Sequence, residues 1–318
     1  MKIAVTGALG HIGSRLVREL ASFRPQDELM LIDNLATQRY ASLFGLPASC
    51  RFMEADVTAP GFEEALAGCF AVVHLAAMTD AAGSIDRAAE VEHNNFEATR
   101  CVARAAANAG AAMIHLSSTS VYGTQSAVVD EDCGPEGLKP QSPYADTKLR
   151  EEAWMRENAG QLGLRFVTCR FGTIAGVSPG MRFHTAVNKF CWQAAMGMPI
   201  TVWRTALHQR RPYLDLADAC CAIEHIVSTE LFDGCIYNVL TANHTVDEIV
   251  SAIRRRVPEL TVTMVDERIM NQLSYEVLDR RIRATGFAPT GSIDGAIDET
   301  LRLLGSRAIR TTNARAIA

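Results

Sequence analysis

Lys2-Ile-Ala-Val-Thr-Gly-Ala-Leu-Gly-His-Ile-Gly-Ser-Arg-Leu-Val17 is the stretch whose reading decides the fold. Ile3 to Val5 read as a short apolar strand of the kind buried on both faces of a parallel sheet. Ile12, Leu16, Val17 and Leu20 then keep a helical period. Between them Gly7, Gly10 and Gly13 follow the spacing G-x-x-G-x-x-G. A strand, a glycine turn and a helix in that order form a phosphate cradle. Gly7 lets the chain turn with positive φ, Gly10 admits a pyrophosphate to the backbone, and Gly13 lets helix and strand pack closely. The helix N-terminus offers free N–H groups and a positive dipole end to the anion. His11 and Ile12 lie inside the turn and join the glycines as candidate cofactor contacts.

Glu28 to Asp33 reads as a second strand, ending in a carboxylate twenty residues after Gly13. In this geometry the Asp33 carboxylate accepts hydrogen bonds from ribose hydroxyls and repels a 2′-phosphate, which favours NAD over NADP. Asn34 stands beside it. A third strand, Arg51 to Ala55, is closed by Asp56 and Val57, where an adenine ring would lie. Ala71 to Ala77 reads as a fourth strand whose small end residues, Leu75-Ala76-Ala77, let a cofactor pass. A helix is expected from about Ser84 to Asn108, carrying Asn94 and Asn95, then a fifth strand, Ala111 to Leu116, that runs into Ser117-Ser-Thr-Ser-Val-Tyr-Gly123. A helix starting near Tyr144 and a sixth strand, Leu164 to Cys169, complete the alternation. That alternation predicts an α/β fold, a Rossmann-type doubly wound parallel sheet with helices on both faces. After Arg170 the pattern loosens into a helix over Phe183–Met196, a strand over Ile200–Trp203 and a helix over Leu216–Ser228. The expected organisation is a dinucleotide-binding domain over 1–170 whose core also receives later segments. A smaller α/β substrate lobe occupies mainly 171–304, and a tail follows over 305–318.

The composition narrows the function. A net charge of −5 over 318 residues argues against a nucleic-acid or anionic-membrane partner. No apolar run approaches the ~18 residues of a membrane span, and strand β-type sequence follows Met1 directly, so no signal peptide is expected. Nine scattered cysteines with no C-x-x-C read as reduced thiols of a cytoplasmic protein. The histidines show no ligand spacing, and no metal is expected.

Tyr144-Ala-Asp-Thr-Lys148 places a phenol and an ammonium four apart on one helix face. A phenol with the usual pKa of ~10 is a poor base at neutral pH. A lysine one turn away, with a positive nicotinamide beside it, favours the phenolate. Such a tyrosine can take a proton from a sugar or alcohol hydroxyl while hydride leaves the same carbon. Ser118, at a strand end, is placed to hydrogen-bond the reacting oxygen.

The chain resembles the extended short-chain dehydrogenase/reductases, in particular the NAD-dependent nucleotide-sugar epimerase/dehydratase group to which UDP-glucose 4-epimerase belongs. The likeness runs over about residues 2 to 304 and keeps the family's order. Its motifs are Thr6-Gly-Ala-Leu-Gly-His-Ile-Gly13, Asp33-Asn34-Leu35, Asp56-Val57, His74-Leu-Ala-Ala77 and Asn95-Phe-Glu-Ala-Thr99. Ser117 to Gly123, Tyr144-x-x-x-Lys148 and Arg211-Pro-Tyr follow. The resemblance implies a catalytic triad of Ser118, Tyr144 and Lys148, with Asn95 supporting the catalytic region and cofactor. It implies that Arg211 grips a sugar nucleotide's diphosphate, a task that suits a guanidinium fork. Thr119, Thr173, Asn188 and Arg268 are further substrate candidates. It also implies a homodimer formed through the helices around 84–108 and 142–161.

The departures from the family pattern are informative. Dehydratases of this group place an Asp-Glu pair directly after the catalytic threonine, and decarboxylases a glutamate; this chain has Thr119-Ser120, so the acid for elimination is missing there. Thr79 replaces a lysine near the diphosphate, Thr173 an asparagine, Trp203-Arg204 an aromatic–glycine pair, and Pro212 an aspartate. The expectation is an NAD-dependent epimerase of a nucleotide-diphosphate sugar, acting at C4 through a transient keto-sugar. The alternatives are a dehydrogenase or reductase with net hydride transfer, and a cofactor-binding relative without catalysis.

Overall fold

A computed structural model of the chain describes residues 1–79, 88–123, 127–266 and 274–305. The first strands are β1 (Lys2–Thr6), β2 (Glu28–Asp33), β3 (Cys50–Glu54), β4 (Ala71–His74) and β5 (Ala112–Ser118). The short β6 (Val128–Val129), β7 (Phe166–Phe171), β8 (Thr173–Ala175), β9 (Ile200–Trp203) and β10 (Arg210–Asp215) follow. The last are β11 (Ile236–Val239), β12 (Ala242–Thr245), β13 (Val262–Val265) and β14 (Glu276–Val277). The helices are α1 (His11–Phe23), α2 (Ala88–Ala109, as far as it is described), α3 (Pro143–Leu162), α4 (Ala186–Ala195), α5 (Leu216–Thr229), α6 (Val246–Arg256), α7 (Arg280–Ala284) and α8 (Ile293–Gly305).

Seven strands form one parallel sheet in the order β3-β2-β1-β4-β5-β7-β11. The strand period of two explains how one apolar strand serves two cores. Ile3 and Val5 of β1 point to the face covered by α1 and α5, while Ala4 between them points to the face covered by α2 and α3. Both faces are therefore dry, and strands that read as continuous apolar runs are the consequence. The chain reverses direction of progression between β1 and β4, the switch point outside whose strand ends a ligand crevice opens in doubly wound sheets.

Two differences from the sequence reading have physical causes. The fourth strand ends at His74 rather than Ala77, because the chain leaves the sheet at Leu75 to lie across the glycine turn. A Cβ on Gly7 would stand 2.6 Å from the Ala76 backbone nitrogen. The helix expected from Phe183 starts at Ala186, with Thr185 extended at its N-cap. The sheet's seventh strand comes from Ile236–Val239, far beyond Arg170, and α5 packs against α1.

A second core, built from α4, α6 and α8 with β9 and β13, lies beside the sheet. Here β8, β10 and β12 form a small sheet of their own. The tail reading at 305–318 lies outside the described residues except for Gly305, which ends α8. The expected helix start at Ser84 also lies outside them. No described helix is long and apolar enough to cross a membrane. All nine cysteines are free thiols. Among the described residues no group of three or more His, Cys, Asp or Glu is arranged to hold a metal ion.

Candidate active site

The glycine turn is built by close approach. Gly7 has φ +66° and its carbonyl accepts from Gly10 N at 3.0 Å. A Cβ on Gly13 would lie 2.5 Å from that same carbonyl and 2.7 Å from Ala8 Cα. No side chain caps α1, whose N-cap is Gly10 and whose first turn holds no acidic residue. Its N–H groups and dipole are therefore available to an anion. Asp33 Oδ2 accepts from Leu9 N at 3.1 Å and Oδ1 from Leu35 N at 2.9 Å. A carboxylate has about four lone-pair sites, so two remain for ribose hydroxyls. Asn34 Nδ2 donates to Asp56 Oδ2 at 2.9 Å, and Thr58 binds Asp56 Oδ1 through both its N–H and its hydroxyl. Burial opposes the Asp56 carboxylate, but these donors outweigh it and lower its pKa. Val57 is buried, and Ile12 packs partly buried on the α1 side of the core. The uncapped N-terminus of α1 and the remaining acceptor sites of Asp33 fit a dinucleotide.

Asn95 is buried, and both ends of its amide are taken by one residue: Oδ1 accepts from Met78 N at 2.8 Å and Nδ2 donates to Met78 O at 2.9 Å. It clamps the segment Leu75–Thr79, with Ala76 and Ala77 half-buried, against the crevice. His11 Nδ1 pairs with Ser178 Oγ at 2.7 Å, and its Nε2 lies 3.3 Å from Asn188 Nδ2. Burial, then Arg182, Arg39 and His184, push the His11 pKa down to about 3, so the ring is neutral. Asn188 is fully buried and also braces Gly176 N and O. Arg39 donates to Gly180 O at 2.5 Å, and Arg182 donates to the Thr79 hydroxyl.

Helix α3 has strong local reasons to start where it does. Ser142 Oγ accepts from Ala145 N at 3.2 Å, Pro143 fills the first turn, and Gly163 ends the helix with φ 64°. Tyr144 therefore sits in the first turn and Lys148 one turn on, where α3 packs on β5 and the turn after it. Lys148 is buried, and its Nζ donates to Glu151 Oε2 at 2.8 Å. Burial pushes the Tyr144 phenol up; Lys148 and Arg182 pull it down, Glu151 pushes up again, and the balance is upward. The expected effect of the lysine is present, but burial outweighs it. Burial also works against the Lys148 ammonium, yet Glu151 and Tyr144 more than offset it and the pKa is raised.

At the end of β5, Ser118 Oγ accepts from Ser120 N at 3.2 Å and from Ser120 Oγ at 2.9 Å. Thr119 is buried; its hydroxyl donates to Phe171 O at 3.2 Å and its carbonyl accepts from Tyr275 OH at 3.2 Å. The Arg211 guanidinium lies 4.8 Å from the centre of the Tyr275 ring, and its Nη2 donates to Gln209 Oε1 at 3.3 Å. Thr173, half-buried on β8, is paired in register with Tyr213 of β10. Arg268 lies outside the described residues.

Sequence reasoning missed Arg39, Ser178, Arg182, Glu151, His115 and Tyr275. Glu151 had a readable signal, three residues after Lys148 on one helix. The loop residues had none, because their partners come from other parts of the chain.

His74 is 3 % exposed, with Nδ1 2.8 Å from Thr6 Oγ1. Burial, then Lys148 and His115, lower its pKa to about 3, against a partial lift from Glu151. An unfolded histidine titrates near ~6.5, so between these values only the unfolded state binds the proton. The stability held by the neutral ring is complete above the unfolded value and is lost as pH falls toward the folded one. Between about pH 6.5 and about pH 5, wild type should lose ~2 kcal/mol more than His74→Asn. Urea unfolding of both proteins at the two pH values checks this, and equal losses would contradict it.

Compared with known proteins, the family model described as NAD dependent epimerase/dehydratase family matches residues 3–239. The chain belongs to this family. Its cofactor is NAD. The trifunctional UDP-glucose 4,6-dehydratase/UDP-4-keto-6-deoxy-D-glucose 3,5-epimerase/UDP-4-keto-L-rhamnose-reductase of Arabidopsis thaliana is 24% identical over 317 residues, covering 94% of this chain and 46% of the relative. The chain thus spans about half the length of that relative. The dTDP-glucose 4,6-dehydratase of Streptomyces venezuelae, solved with NAD and TYD bound, superposes with a TM-score of 0.86 at 24% identity, covering 96% of this chain and 98% of that one. The UDP-glucuronic acid 4-epimerase of Bacillus cereus, in complex with UDP-glucuronic acid and NAD, gives 0.85 at 23%, covering 96% and 99%. At these identities the structural likeness shows the shared fold. Epimerases and dehydratases alike stand among the family's members.

Proposed function

We propose that this family member is an epimerase of a nucleotide-diphosphate sugar, acting at C4 through a transient keto-sugar. One observation carries the choice over elimination: the two residues after Ser118 are hydroxyls already engaged with Phe171 O and Ser118, with no carboxylate at either position. Loss of a sugar hydroxyl needs an acid to protonate it, and epimerisation does not.

The Tyr144 phenolate, stabilised by the Lys148 ammonium, takes the proton of the C4 hydroxyl and becomes the neutral phenol. The glycine turn, the N-terminus of α1 and Asp33 would hold NAD, which would supply a reversible hydride acceptor for C4. Ser120 donates to Ser118 Oγ, which leaves the Ser118 proton free to point at the reacting oxygen. Arg211 and Arg182 hold the diphosphate. Arg182 brings to Thr79 the positive charge that Thr79 itself does not carry. Asn188 and Thr173 line the nucleotide and sugar side, and binding energy from the diphosphate retains the keto-sugar while it turns. The helices α2 and α3, which pack together, form a homodimer interface in this reading.

Purified protein given UDP-glucose, UDP-N-acetylglucosamine or UDP-glucuronate should interconvert one of them with its 4-epimer, with no net NADH. Stoichiometric NADH would replace the proposal by a dehydrogenase, and a 4-keto-6-deoxy product by a dehydratase. Charged hydrogen bonds contribute ~1.5–3 kcal/mol, so Arg211→Met should raise KM for that sugar about 10- to 100-fold. Steady-state kinetics should show kcat changed far less; a fall in kcat alone would remove Arg211 from diphosphate binding.

A further inference from the structure

Behind Lys148 lies a buried polar cluster that the reaction above does not use. A single carboxylate oxygen, Glu151 Oε2, accepts from Lys148 Nζ at 2.8 Å, His115 Nε2 at 2.9 Å and Thr99 Oγ1 at 3.0 Å. His115 Nδ1 continues to Thr168 Oγ1 at 3.3 Å. Glu151 and His115 are fully buried, Thr99 is 1 % exposed and Lys148 4 %. Among the described residues the second carboxylate oxygen, Glu151 Oε1, has no hydrogen-bond partner, nor has the buried His74 Nε2 on the neighbouring strand. A fully buried carboxylate costs several kcal/mol unless its partners compensate. Here three donors converge on one oxygen, and the charged one among them is the lysine beside Tyr144.

We propose that Glu151, seated on His115 and Thr99, is a positioning residue that clamps the Lys148 ammonium. Through its charge it also sets the pH range in which the Tyr144–Lys148 pair works. The inference rests on the reading of Tyr144 as the base. The charged and titratable groups facing the pair are Tyr144, Glu151 and Glu152 on α3, His115 on β5, His74 on β4, and Arg182 from the segment before α4. Burial opposes the Glu151 carboxylate, but Lys148 and His115 hold it ionised down to about 2. It is therefore a constant negative charge at every working pH. A fixed negative charge favours the protonated form of each neighbour, so it raises the pKa of phenol and ammonium together. Because the two groups interact, the limbs of a pH profile belong to the pair, yet the direction is the same for both.

The prediction follows from that sign. Glu151→Gln keeps the shape and removes the charge. With the UDP-sugar that wild type converts, the whole bell of kcat/KM against pH should move toward acid, each limb by about one pH unit. Glu151→Asp keeps the charge and should leave the bell where it is, while the shorter reach lowers kcat. A substitution that merely loosened packing would lower activity without displacing both limbs. Should Glu151→Gln fail to fold, Glu151→Met with His115→Leu removes carboxylate and imidazole together, so that the imidazole is not left without its acceptor, and must give the same acid shift. The near-ultraviolet phenolate absorbance of wild type minus Tyr144→Phe, titrated without substrate, reads the phenol directly. Its midpoint should fall when Glu151 is replaced in both members of the pair. This measurement stands even if no UDP-sugar turns over, so failure of the epimerase reading and failure of the clamp are separable. A bell or phenolate midpoint that stays in place or moves to alkaline pH overturns the proposal.

Discussion

Tyr144→Phe is expected to lower kcat/KM for the UDP-sugar by about 10²- to 10⁴-fold, the range for loss of a positioned proton-transfer group. Only the hydroxyl is removed. The ring stays in the first turn of α3, whose start is held by Ser142 and Pro143 rather than by the phenol. Folding and NAD binding should therefore be retained, which separates chemistry from structure. Mixing enzyme and substrate in a single turnover and following product should show the chemical step itself slowed. A variant within tenfold of wild type would remove Tyr144 as the base. Lys148→Met is less clean as a probe, because it strands the buried Glu151 carboxylate without its lysine.

Arg170→Met is expected to cost ~3–5 kcal/mol of stability, the usual penalty for removing one partner of a buried ion pair. Arg170 is 2 % exposed and Glu152 5 %. The guanidinium donates to both Glu152 oxygens, through Nε at 2.9 Å and Nη2 at 2.6 Å, and through Nη1 to Tyr122 OH at 2.9 Å. Ser117 adds a donor to Glu152 Oε1 at 2.5 Å, and the Tyr122 hydroxyl donates to Asn238 Oδ1 at 2.9 Å. The network ties α3, β7 and β11 to the end of β5, beside Ser118. Stranding Glu152 leaves a buried charge without its cation, and the penalty arises there. Replacing both, as Arg170→Met with Glu152→Leu, should recover most of the loss, because apolar residues of similar volume substitute well for buried pairs. Urea unfolding of the two variants checks the contrast; a double variant as unstable as the single one would contradict it.

Two kinds of information meet in this protein. The residues of the cradle, the alternation of strand and helix, and the Tyr144–Lys148 pair were legible in the sequence because each is local. Glycine spacing, a period of two or of 3.6, and a four-residue step are set by backbone geometry within a few neighbours. The boundaries that shifted did so for tertiary reasons. Leu75–Ala77 has strand-like composition, yet it leaves the sheet to pack on Gly7 under the Asn95 clamp. The sheet's seventh strand, the meeting of Arg182 with Thr79 across 103 residues, and that of His11 with Ser178 across 167 have no local sign. The same holds for the upward balance at the Tyr144 phenol, which depends on burial that no spacing reports. Sequence by itself determined the parallel sheet, the glycine turn between β1 and α1 and the phenol–ammonium pair on α3. Only the folded chain decided which cations surround that place and which buried carboxylate stands behind Lys148, because those depend on distances between segments that the order of residues does not contain.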